Sequence, residues 1–489
     1  MTTRCLSDRD RGTPWAQVSE FIAEHMGLHF SPERLPDLQR GLAEAAHEFG
    51  FDDVAACIDW LLSGPPTRTQ LQVLASHLTV GETYFFRDKK AFDVLASRVF
   101  PELIHARRGC EPRLRLWSAA CCSGEEAYSL AMMVHQLLPD LSDWHVTILA
   151  TDINPRFLQK AVTGSYGEWS FRDAPTGLKE RYFNRTEDGR YAIRPEIKKL
   201  VTFEHLNLVE DVFPSLATDT NAMDVIFCRN VLMYFTPAQT SKVIGNLHRA
   251  LMVGGWLAVS PSEACQALFA QFVTLNAPGV ILYQKGDAGS RANSTPWVPA
   301  ALPLSTPEVP FALPPETPPP VATPPVFAVA ASLYEEGCYG EAADTLLAWF
   351  DEHQPDTQAF SLIARSLANQ GKLRDALTWC DRWIAADKLD AAGHYLRAVV
   401  LLEHGQQDDA RESLQRALYL EPNFVLAHFA LGSLARSRDK HDQADKHFAN
   451  TLDLLGRLQP HDVLPESEGL TAGRLTETIT AMTPLGHTR

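Results

Sequence analysis

Three acidic side chains are placed where they could bind one ligand. Asp152 follows an apolar run at residues 146–151, and an acid at the tip of such a strand can accept hydrogen bonds from both hydroxyls of a ribose. Glu125 and Glu126 open another segment, whose apolar spacing predicts a helix. Two carboxylates at the start of a helix would repel a phosphate, and they would suit a ligand that carries positive charge.

The elements that must position these acids follow one another as in a nucleotide-binding βαβ unit. Residues 114–117 predict a buried strand, the small residues 118–124 a turn, and residues 125–133 the helix. The turn has one glycine, Gly124, and is therefore not the G-x-G-x-x-G turn that binds a pyrophosphate. S-Adenosylmethionine (SAM) has a ribose, an adenine, an ammonium and a sulfonium but no phosphate, and it matches this pattern. The two glutamates could instead serve only the helix N-terminus, through the helix dipole.

Length and composition limit the classes of protein to be considered. A chain of 489 residues predicts more than one domain, and 45% apolar residues is normal for a globular protein. The formal charge of −16, most of it after residue 290, disfavours a nucleic-acid partner. No apolar run has the length of a membrane span, residues 1–11 lack the apolar core of a signal peptide, and the nine cysteines show no C-x-x-C. We therefore expect a cytoplasmic protein without membrane insertion and with reduced thiols.

The first 285 residues predict two folded units. Residues 15–100 carry apolar stripes at helical spacing and predict an N-terminal helical domain. Residues 101–285 alternate strands with helices, which predicts a doubly wound α/β domain. A hairpin pattern with a Glu-Asp-Gly turn predicts a small β insertion at about residues 164–200. The glycine pair at 254–255 is interpreted as the end of a helix that precedes a strand.

Five short motifs occur in a specific order along these two units. They lie at residues 83–87, 118–126, 151–154, 227–235 and 254–255. Together they resemble the chemotaxis-receptor methyltransferase (CheR) family, and the resemblance covers about residues 15–285. Members of that family move the methyl group of SAM onto glutamate side chains of chemoreceptors, which leaves S-adenosylhomocysteine (SAH) as the second product.

The resemblance also implies which residues would form the site. It assigns Arg87 and Tyr234 to the reacting carboxylate, and it implies no metal. The positions that would line the SAM site are Thr83, Arg87, Glu125, Asp152, Asn207, Leu208, Arg229 and Asn230. A glutamate is already ionised at pH 7, so the reaction requires no general base, and an arginine can hold a carboxylate by paired hydrogen bonds.

The chain departs from the family pattern at three places. Gly81 stands where the family usually has asparagine, and residues 260–263 read Ser-Pro-Ser-Glu instead of Gly-His-Ser-Glu. The second and third predicted helices are poor in arginine and lysine, although family members often present a basic face there to acidic receptor helices. The mode of receptor docking is therefore open.

A repeat follows a proline-rich linker, which we assign to residues 286–322. Twelve of the 32 prolines fall within residues 286–325. Small residues then recur at intervals of 34, as at Ala342, Ala376, Ala410 and Ala444. This period resembles the tetratricopeptide repeat (TPR), and four units over about residues 323–456 predict an α-solenoid with a concave face for a protein partner. Residues 457–489 lack the period and are expected to be a mobile tail.

The combined prediction is an α/β plus all-α protein, a SAM-dependent protein-glutamate O-methyltransferase fused to a TPR array. Such a fusion is similar to members of Wsp-like and other alternative chemosensory systems. Its substrate would be the cytoplasmic domain of a membrane chemoreceptor. Because the linker is long, the folded parts are expected to share little interface. One alternative is a TPR adaptor whose methyltransferase fold senses SAM without turnover, and another is a methyltransferase for a different protein or a small molecule.

Overall fold

The structure is a computed structural model. It describes residues 14–109, 112–209, 213–277, 279–286, 326–350 and 357–482. The predicted linker lies outside these ranges from residue 287 onward. No helix within them combines the length and the apolar character that crossing a bilayer requires.

The N-terminal unit is a cluster of helices, of which the first four share one apolar core and the later ones pack against the core of the sheet. Its helices are α1 (Trp15–Met26), α2 (Leu35–Glu48), α3 (Val54–Leu62) and α4 (Arg68–Leu78), followed by α5 (Lys89–Val94), a π-helical turn (Leu95–Val99) and α6 (Phe100–Arg107). Thr67 and Gln70 form a capping box that fixes the start of α4. Val18, Leu38, Ile58 and Leu74 are fully buried in the core that α1 to α4 share. The predicted apolar stripes are therefore core positions.

A seven-stranded sheet forms the second unit. Its strands are β1 (Arg113–Ala119), β2 (His145–Asp152), β6 (Val201–His205), β7 (Met223–Cys228), β8 (Leu251–Ala258), β9 (Val273–Ala277) and β10 (Val280–Gln284). They lie in the order β6-β2-β1-β7-β8-β10-β9, and the first five are mutually parallel. The helices of this unit are α7 (Glu125–Leu137), α8 (Pro155–Thr163) and α11 (Pro237–Ala250). The strand order reverses beside β1, and such a switch point opens a crevice at the carboxyl ends of the strands.

The predicted β insertion is a separate three-stranded sheet. It contains β3 (Ser165–Tyr166), β4 (Phe183–Arg185) and β5 (Tyr191–Ile193), with the short helices α9 (Leu178–Tyr182) and α10 (Pro195–Lys198). Phe85 is fully buried against Phe171 and Phe183 of this insertion, at ring-centroid distances of 4.9 and 5.1 Å. The insertion therefore supports the loop that carries Arg87.

The glycine pair 254–255 is not a helix end, and that interpretation was wrong. Helix α11 ends at Ala250, and both glycines lie inside β8. Gly254 has φ of 80°, and a Cβ on Gly255 would be 2.8 Å from the Met252 carbonyl oxygen. The register between β7 and β8 shifts at this place. The glycines are thus required by a β-bulge.

Eight helices of the C-terminal unit pack as consecutive pairs. They are α12 (Val326–Glu335), α13 (Tyr339–Phe350), α14 (Thr357–Asn369), α15 (Leu373–Ala386), α16 (Ala391–Glu403), α17 (Gln407–Leu420), α18 (Val425–Ser437) and α19 (His441–Leu455). The alanines that recur every 34 residues are buried. The two helices of each pair are joined by a turn with one residue in left-handed backbone. That residue is Gly337, Gly371 or Gly405 in the first three pairs, with φ of 72° to 83°, and Asp439 in the fourth, with φ of 57°. The repeat is an α-solenoid, as predicted from the period.

The expected mobile tail is an ordered part of the solenoid core as far as residue 482. Residues 463 and 471 form a β-bridge, and helix α20 (Ala472–Met482) follows. Leu464, Leu470, Leu475 and Ile479 are at most 4% exposed. Four apolar side chains in one short segment gain enough burial to order it, so that expectation was wrong for residues 457–482.

The expectation of little interface between the two large parts was also wrong. Arg113 of β1 forms a buried ion pair with Glu403 of α16 at 2.8 Å. The neighbouring Arg115 is held by Asp219 at 2.7 Å and lies 3.8 Å from Glu403. Leu216 belongs to the apolar core of the solenoid. Buried charges need partners, and here the partners come from the solenoid and from the loop beside it.

We expect Glu403→Gln to destabilise the full-length chain by about 3–5 kcal/mol, because it leaves the buried Arg113 without its counter-charge. Denaturant unfolding of the full-length protein measures this change. Asp453→Asn is the matched control, since Asp453 pairs with Arg457 at the exposed surface, and it should change stability by less than about 1 kcal/mol. Equal effects of the two substitutions would contradict the importance of the buried pair.

Candidate functional site

A cleft opens at the carboxyl ends of β1, β2, β6 and β7. Its floor is formed by the turn after β1, by Asp152 and by the segment after β7, and its roof by residues of the N-terminal unit such as Met26 and Leu28. About 940 Å³ of space lies within it, part of it continuous with solvent. The topological switch point of the sheet and the cleft coincide, as expected for a ligand site of an α/β fold.

Asp152 is held rigidly in this cleft. Its two carboxylate oxygens accept hydrogen bonds from the backbone N–H groups of Cys122 and Asn154, each at 2.8 Å. Burial raises the pKa of Asp152 to about 6, and these backbone hydrogen bonds oppose the shift. At neutral pH the side chain is therefore a preorganised anion that can accept further hydrogen bonds.

The turn that carries Cys122 depends on small residues. Ala120, Cys122 and Gly124 all have positive φ, at 64°, 51° and 92°. Left-handed backbone at Ala120 and Cys122 is strained, and such strain concentrates at functional sites. Burial raises the pKa of the Cys122 thiol to about 12, so this cysteine is a small turn residue and not a reactive thiolate.

Of the two adjacent glutamates, Glu126 lines the cleft and Glu125 does not. The structure therefore does not place Glu125 in the cleft lining, where the resemblance predicted it. Glu125 is buried behind the turn, where its carboxylate accepts hydrogen bonds from Ser123 Oγ at 2.8 Å and Ser170 Oγ at 2.9 Å. Glu126 accepts from Ser118 Oγ at 2.7 Å and lies 3.4 Å from Arg229. Successive helical residues point about 100° apart, so one glutamate holds the β insertion while the other faces the cleft.

Arg229 joins three segments around the site. It follows β7 and is 5% exposed. Its guanidinium pairs with Asp88, lies near Glu126, and donates to the backbone carbonyl of Arg87 at 2.9 Å. The Arg229 Nε is buried and has no hydrogen-bond partner in the described part of the chain. Arg229 therefore acts first by holding these three segments together.

Glu263 shapes the segment that carries Asn230 and Tyr234. Its carboxylate accepts hydrogen bonds from the backbone N–H groups of Asn230 at 2.8 Å and Val231 at 2.7 Å, and from Ser260 Oγ at 2.6 Å. These bonds hold Asn230 in left-handed backbone at φ of 58°. The Ser-Pro-Ser-Glu motif is thus a loop anchor, and its glutamate is one of the positions at which the motif matches the family pattern.

Two arginines line the cleft without an acidic partner. Arg87 donates to the backbone carbonyl of Glu82, and the Arg34 guanidinium lies 5.0 Å from the centre of the Tyr234 ring. Neither forms an ion pair with a described carboxylate. Both are half-buried, so the cleft contains positive charge that an anionic group could neutralise.

The far wall connects β6 to the N-terminal helices. Asn207 and Leu208 both line the cleft. Asn207 donates through Nδ2 to the His25 carbonyl at 2.6 Å, and its Oδ1 accepts from the Val209 N–H at 3.2 Å. Thr83 lines the opposite side, next to Arg87. The roof and the wall are therefore joined by direct hydrogen bonding.

The structure thus brings eight of the nine predicted site residues into one cleft. They are Thr83, Arg87, Asp152, Asn207, Leu208, Arg229, Asn230 and Tyr234. Sequence reasoning missed Arg34, Phe157 and the loop anchor Glu263. It named Glu126 as a candidate for a positively charged ligand but did not include it among the positions of the SAM site. Glu126 is one residue from a predicted position, whereas no local sequence signal marks Arg34 or Phe157.

Gly81 and Phe157 are sterically coupled at the rim. A Cβ on Gly81 would lie 2.6 Å from the Phe157 ring. We expect Gly81→Ala to cost about 1–3 kcal/mol of stability, as overpacking does, and Phe157→Leu to relieve much of that cost in the double variant. Thermal unfolding of the four variants of this cycle measures the coupling. Gly64→Ala, where the added Cβ would meet nothing within 4 Å, is the control. Simple additivity of Gly81→Ala and Phe157→Leu would disprove the coupling.

Comparison with known proteins agrees with this geometry. Residues 81–280 match the family model described as CheR methyltransferase, SAM binding domain. The probable biofilm formation methyltransferase WspC of Pseudomonas aeruginosa is 30% identical over 384 residues, which cover 78% of this chain and 85% of that protein. Chemotaxis protein methyltransferase 1 of the same organism is 37% identical over 44% of this chain and 77% of that protein.

Similarity to a further relative covers about half of the chain, and one structural likeness is distant. The chemotaxis protein methyltransferase of Borreliella burgdorferi is 30% identical over 51% of this chain and 87% of that protein. A solved structure of MamA from Desulfovibrio magneticus RS-1 covers 27% of this chain and 76% of its own, with 22% identity and a TM-score of 0.26, which is too low to support an inference. The match to WspC extends over most of both chains, and we conclude that this chain belongs to the CheR family of SAM-dependent methyltransferases.

Proposed function

We propose that the chain transfers the methyl group of SAM to glutamate side chains in the cytoplasmic domain of a membrane chemoreceptor, and that it acts in the cytoplasm. The observation that carries the proposal is the pair of half-buried arginines, Arg34 and Arg87, which line the cleft beside Tyr234 without an acidic partner. Guanidinium groups that form no ion pair within the cleft can bind a carboxylate, which favours a carboxylate as the methyl acceptor.

The residues of the cleft fit SAM. Asp152 already accepts one backbone hydrogen bond at each carboxylate oxygen, and each oxygen has capacity for a ribose hydroxyl as well. Glu126 supplies negative charge near the region where a sulfonium and an ammonium would lie. We assign cofactor contacts to Thr83, Arg87, Asp152, Asn207, Leu208, Arg229 and Asn230, and we give Glu125 an indirect role through the β insertion.

Methyl transfer requires the protein only to orient the acceptor carboxylate and to exclude water from it. SAM supplies an electrophilic methyl group on a positively charged sulfur. Arg87 would hold the acceptor carboxylate by paired hydrogen bonds, and the Tyr234 hydroxyl would orient one oxygen toward the methyl carbon. The apolar roof, with Met26, Leu28 and Leu78, would exclude water that otherwise shields the nucleophile. A carboxylate acceptor is ionised at pH 7, so no proton has to be removed.

A protein partner of the solenoid remains part of this proposal. The first helices of several pairs already contact the rest of the chain, since Glu403 of α16 binds Arg113 and Arg365 of α14 binds Glu466. A partner would therefore bind the part of the concave face that the chain itself leaves open, or it would compete with these contacts.

Asp152 gives the cofactor affinity a specific pH dependence. Its pKa is about 6 in the free protein, and hydroxyl donors from a ribose would lower that pKa, because they stabilise the ionised form. Affinity for SAH should therefore be constant above about pH 7 and fall about five- to tenfold between pH 7 and pH 5, as the carboxylate becomes protonated. Calorimetric titration at several pH values measures this. Asp152→Asn should bind more weakly at pH 7.5 and show little pH dependence, and an unchanged pH profile in this variant would contradict the ribose assignment.

The acceptor assignment is tested by the stability of the product bond. Full-length protein is incubated with methyl-labelled SAM and receptor-containing membranes. We expect label on the receptor that mild alkali releases as methanol, because a glutamyl methyl ester hydrolyses under those conditions. Alkali-stable label would indicate a different acceptor group, and absence of label on any protein or small molecule would favour a SAM-sensing adaptor.

Arg87→Ala separates the role of this arginine from overall binding. We expect kcat to fall at least about a hundredfold, since loss of a bidentate carboxylate contact costs roughly 3 kcal/mol, while SAH affinity falls much less. Arg156→Ala is the control, because Arg156 pairs with Glu48 on the exposed surface. If Arg87→Ala weakened SAH binding as strongly as turnover, its main contact would be with the cofactor.

A further inference from the structure

The C-terminal segment, residues 457–482, occupies a junction of three parts of the chain. Glu466 and Glu468 both adopt left-handed backbone, at φ of 62° and 57°. Ser467 between them is buried, and its hydroxyl donates to the carbonyl groups of Leu464 and Leu470 at 2.6 and 3.0 Å. Two strained acidic residues this close together persist only where the surrounding contacts fix them.

The two carboxylates join the solenoid to a loop of the methyltransferase part. Arg365 of α14 pairs with Glu466 at 2.5 Å and with Glu468 at 3.3 Å. Glu468 also accepts from the Tyr334 hydroxyl, and its Oε2 accepts from the Leu216 N–H at 2.8 Å. Arg365 is 8% exposed, so these are buried, charge-assisted contacts.

Helix α20, which follows, contacts the methyltransferase part at the end of β6. Arg474 donates to the His205 carbonyl at 2.8 Å, and its guanidinium lies 3.2 Å from His205 Nδ1. Glu477 pairs with Arg68 at the start of α4 at 2.8 Å. One helix therefore reaches both the edge strand of the sheet and the N-terminal unit that roofs the cleft.

The contact at His205 lies next to the cofactor cleft. His205 is opposite Asp152 in the register of β6 and β2, and the Leu206 N–H donates to the Asp152 carbonyl at 3.2 Å. Leu206, Asn207 and Leu208 then line the cleft. A shift at the end of β6 would move this wall directly.

The edge strand is loosely packed on the side that faces the solenoid. One face of β6 fronts a cavity between the sheet and the solenoid, lined by Thr202, Glu204, Phe429 and Leu475. Close packing is what normally holds a strand in place, and a cavity removes it on this side. The hydrogen bonds of Arg474 therefore carry more of the positioning than they would beside a filled core.

We propose that the C-terminal segment is a latch that couples the solenoid to the cofactor site. Glu466 and Glu468 attach it to the solenoid, and Arg474 is a positioning residue that fixes the last residue of β6 and, through it, the wall formed by residues 206–208. Cofactor affinity then depends on the state of the latch, and a ligand of the solenoid that displaces Glu466 and Glu468 would lower it.

The test measures SAH affinity and thermal stability of full-length variants side by side. Arg474→Ala should weaken SAH binding about three- to tenfold, and Arg474→Lys, which keeps the charge but reaches fewer acceptors, should lie between it and the native chain. Arg457→Ala is the matched control, because Arg457 lies in the same segment in an exposed pair with Asp453, and it should leave the affinity within twofold. A loss of thermal stability in Arg474→Ala and Arg474→Lys without a loss of affinity would overturn the positioning role.

The solenoid side of the latch is tested separately. The double substitution Glu466→Gln and Glu468→Gln lies outside the cofactor cleft and should weaken SAH binding in the same direction as Arg474→Ala. The double substitution combined with Arg474→Ala should weaken binding less than additively, since both act through one segment. Unchanged affinity in the double variant, or full additivity, would overturn the coupling. Neither result depends on the identity of the methyl acceptor.

Discussion

One buried guanidinium holds the catalytic half of the molecule together. Arg229 stands at the end of β7, where burial would be costly for an unpaired charge. Its partners, Asp88, Glu126 and the Arg87 carbonyl, come from the loop between α4 and α5 and from the start of α7. The same set of contacts that neutralises this charge therefore positions the cleft residue Arg87. The N-terminal unit can serve as a roof because this arginine ties it to the sheet.

Backbone strain is concentrated around the same cleft. Phe86, Asp88, Ala120, Cys122 and Asn230 all adopt left-handed backbone although none is glycine. Each such residue costs on the order of 1–3 kcal/mol and persists where neighbouring contacts fix it. At Asn230 the contact is the Glu263 carboxylate, and at Cys122 it is the hydrogen bond to Asp152. The buried acids Glu263 and Asp152 thus hold these loops in strained conformations, and the loops place their polar groups around the cleft.

The spacing of apolar and small residues along the sequence predicted the regular elements of the fold. The strands β1 and β2, helix α7 and the 34-residue period of buried alanines follow from it. Periodicity could not distinguish Glu125 from Glu126, because both suit a helix start and only tertiary packing decides which one faces the cleft. Gly254 and Gly255 were misassigned because glycine is favoured both at the ends of helices and in β-bulges. Arg34 enters the site from another unit, which no local pattern encodes.

Two arginines of β1 explain why the methyltransferase part and the solenoid are not independent, contrary to what the sequence had led us to expect. Arg113 and Arg115 alternate along β1 and therefore face one side of the sheet, and both are at most 4% exposed. Their counter-charges are Glu403 from the solenoid and Asp219 from the loop before β7. Without the solenoid this side of β1 would present two cations to water beside an apolar sheet face. The length of the linker does not decide whether the solenoid packs against the sheet. The buried arginines of β1 require a counter-charge, and the solenoid supplies it. The solenoid is therefore part of the fold around the methyltransferase, and not only a tethered binding module.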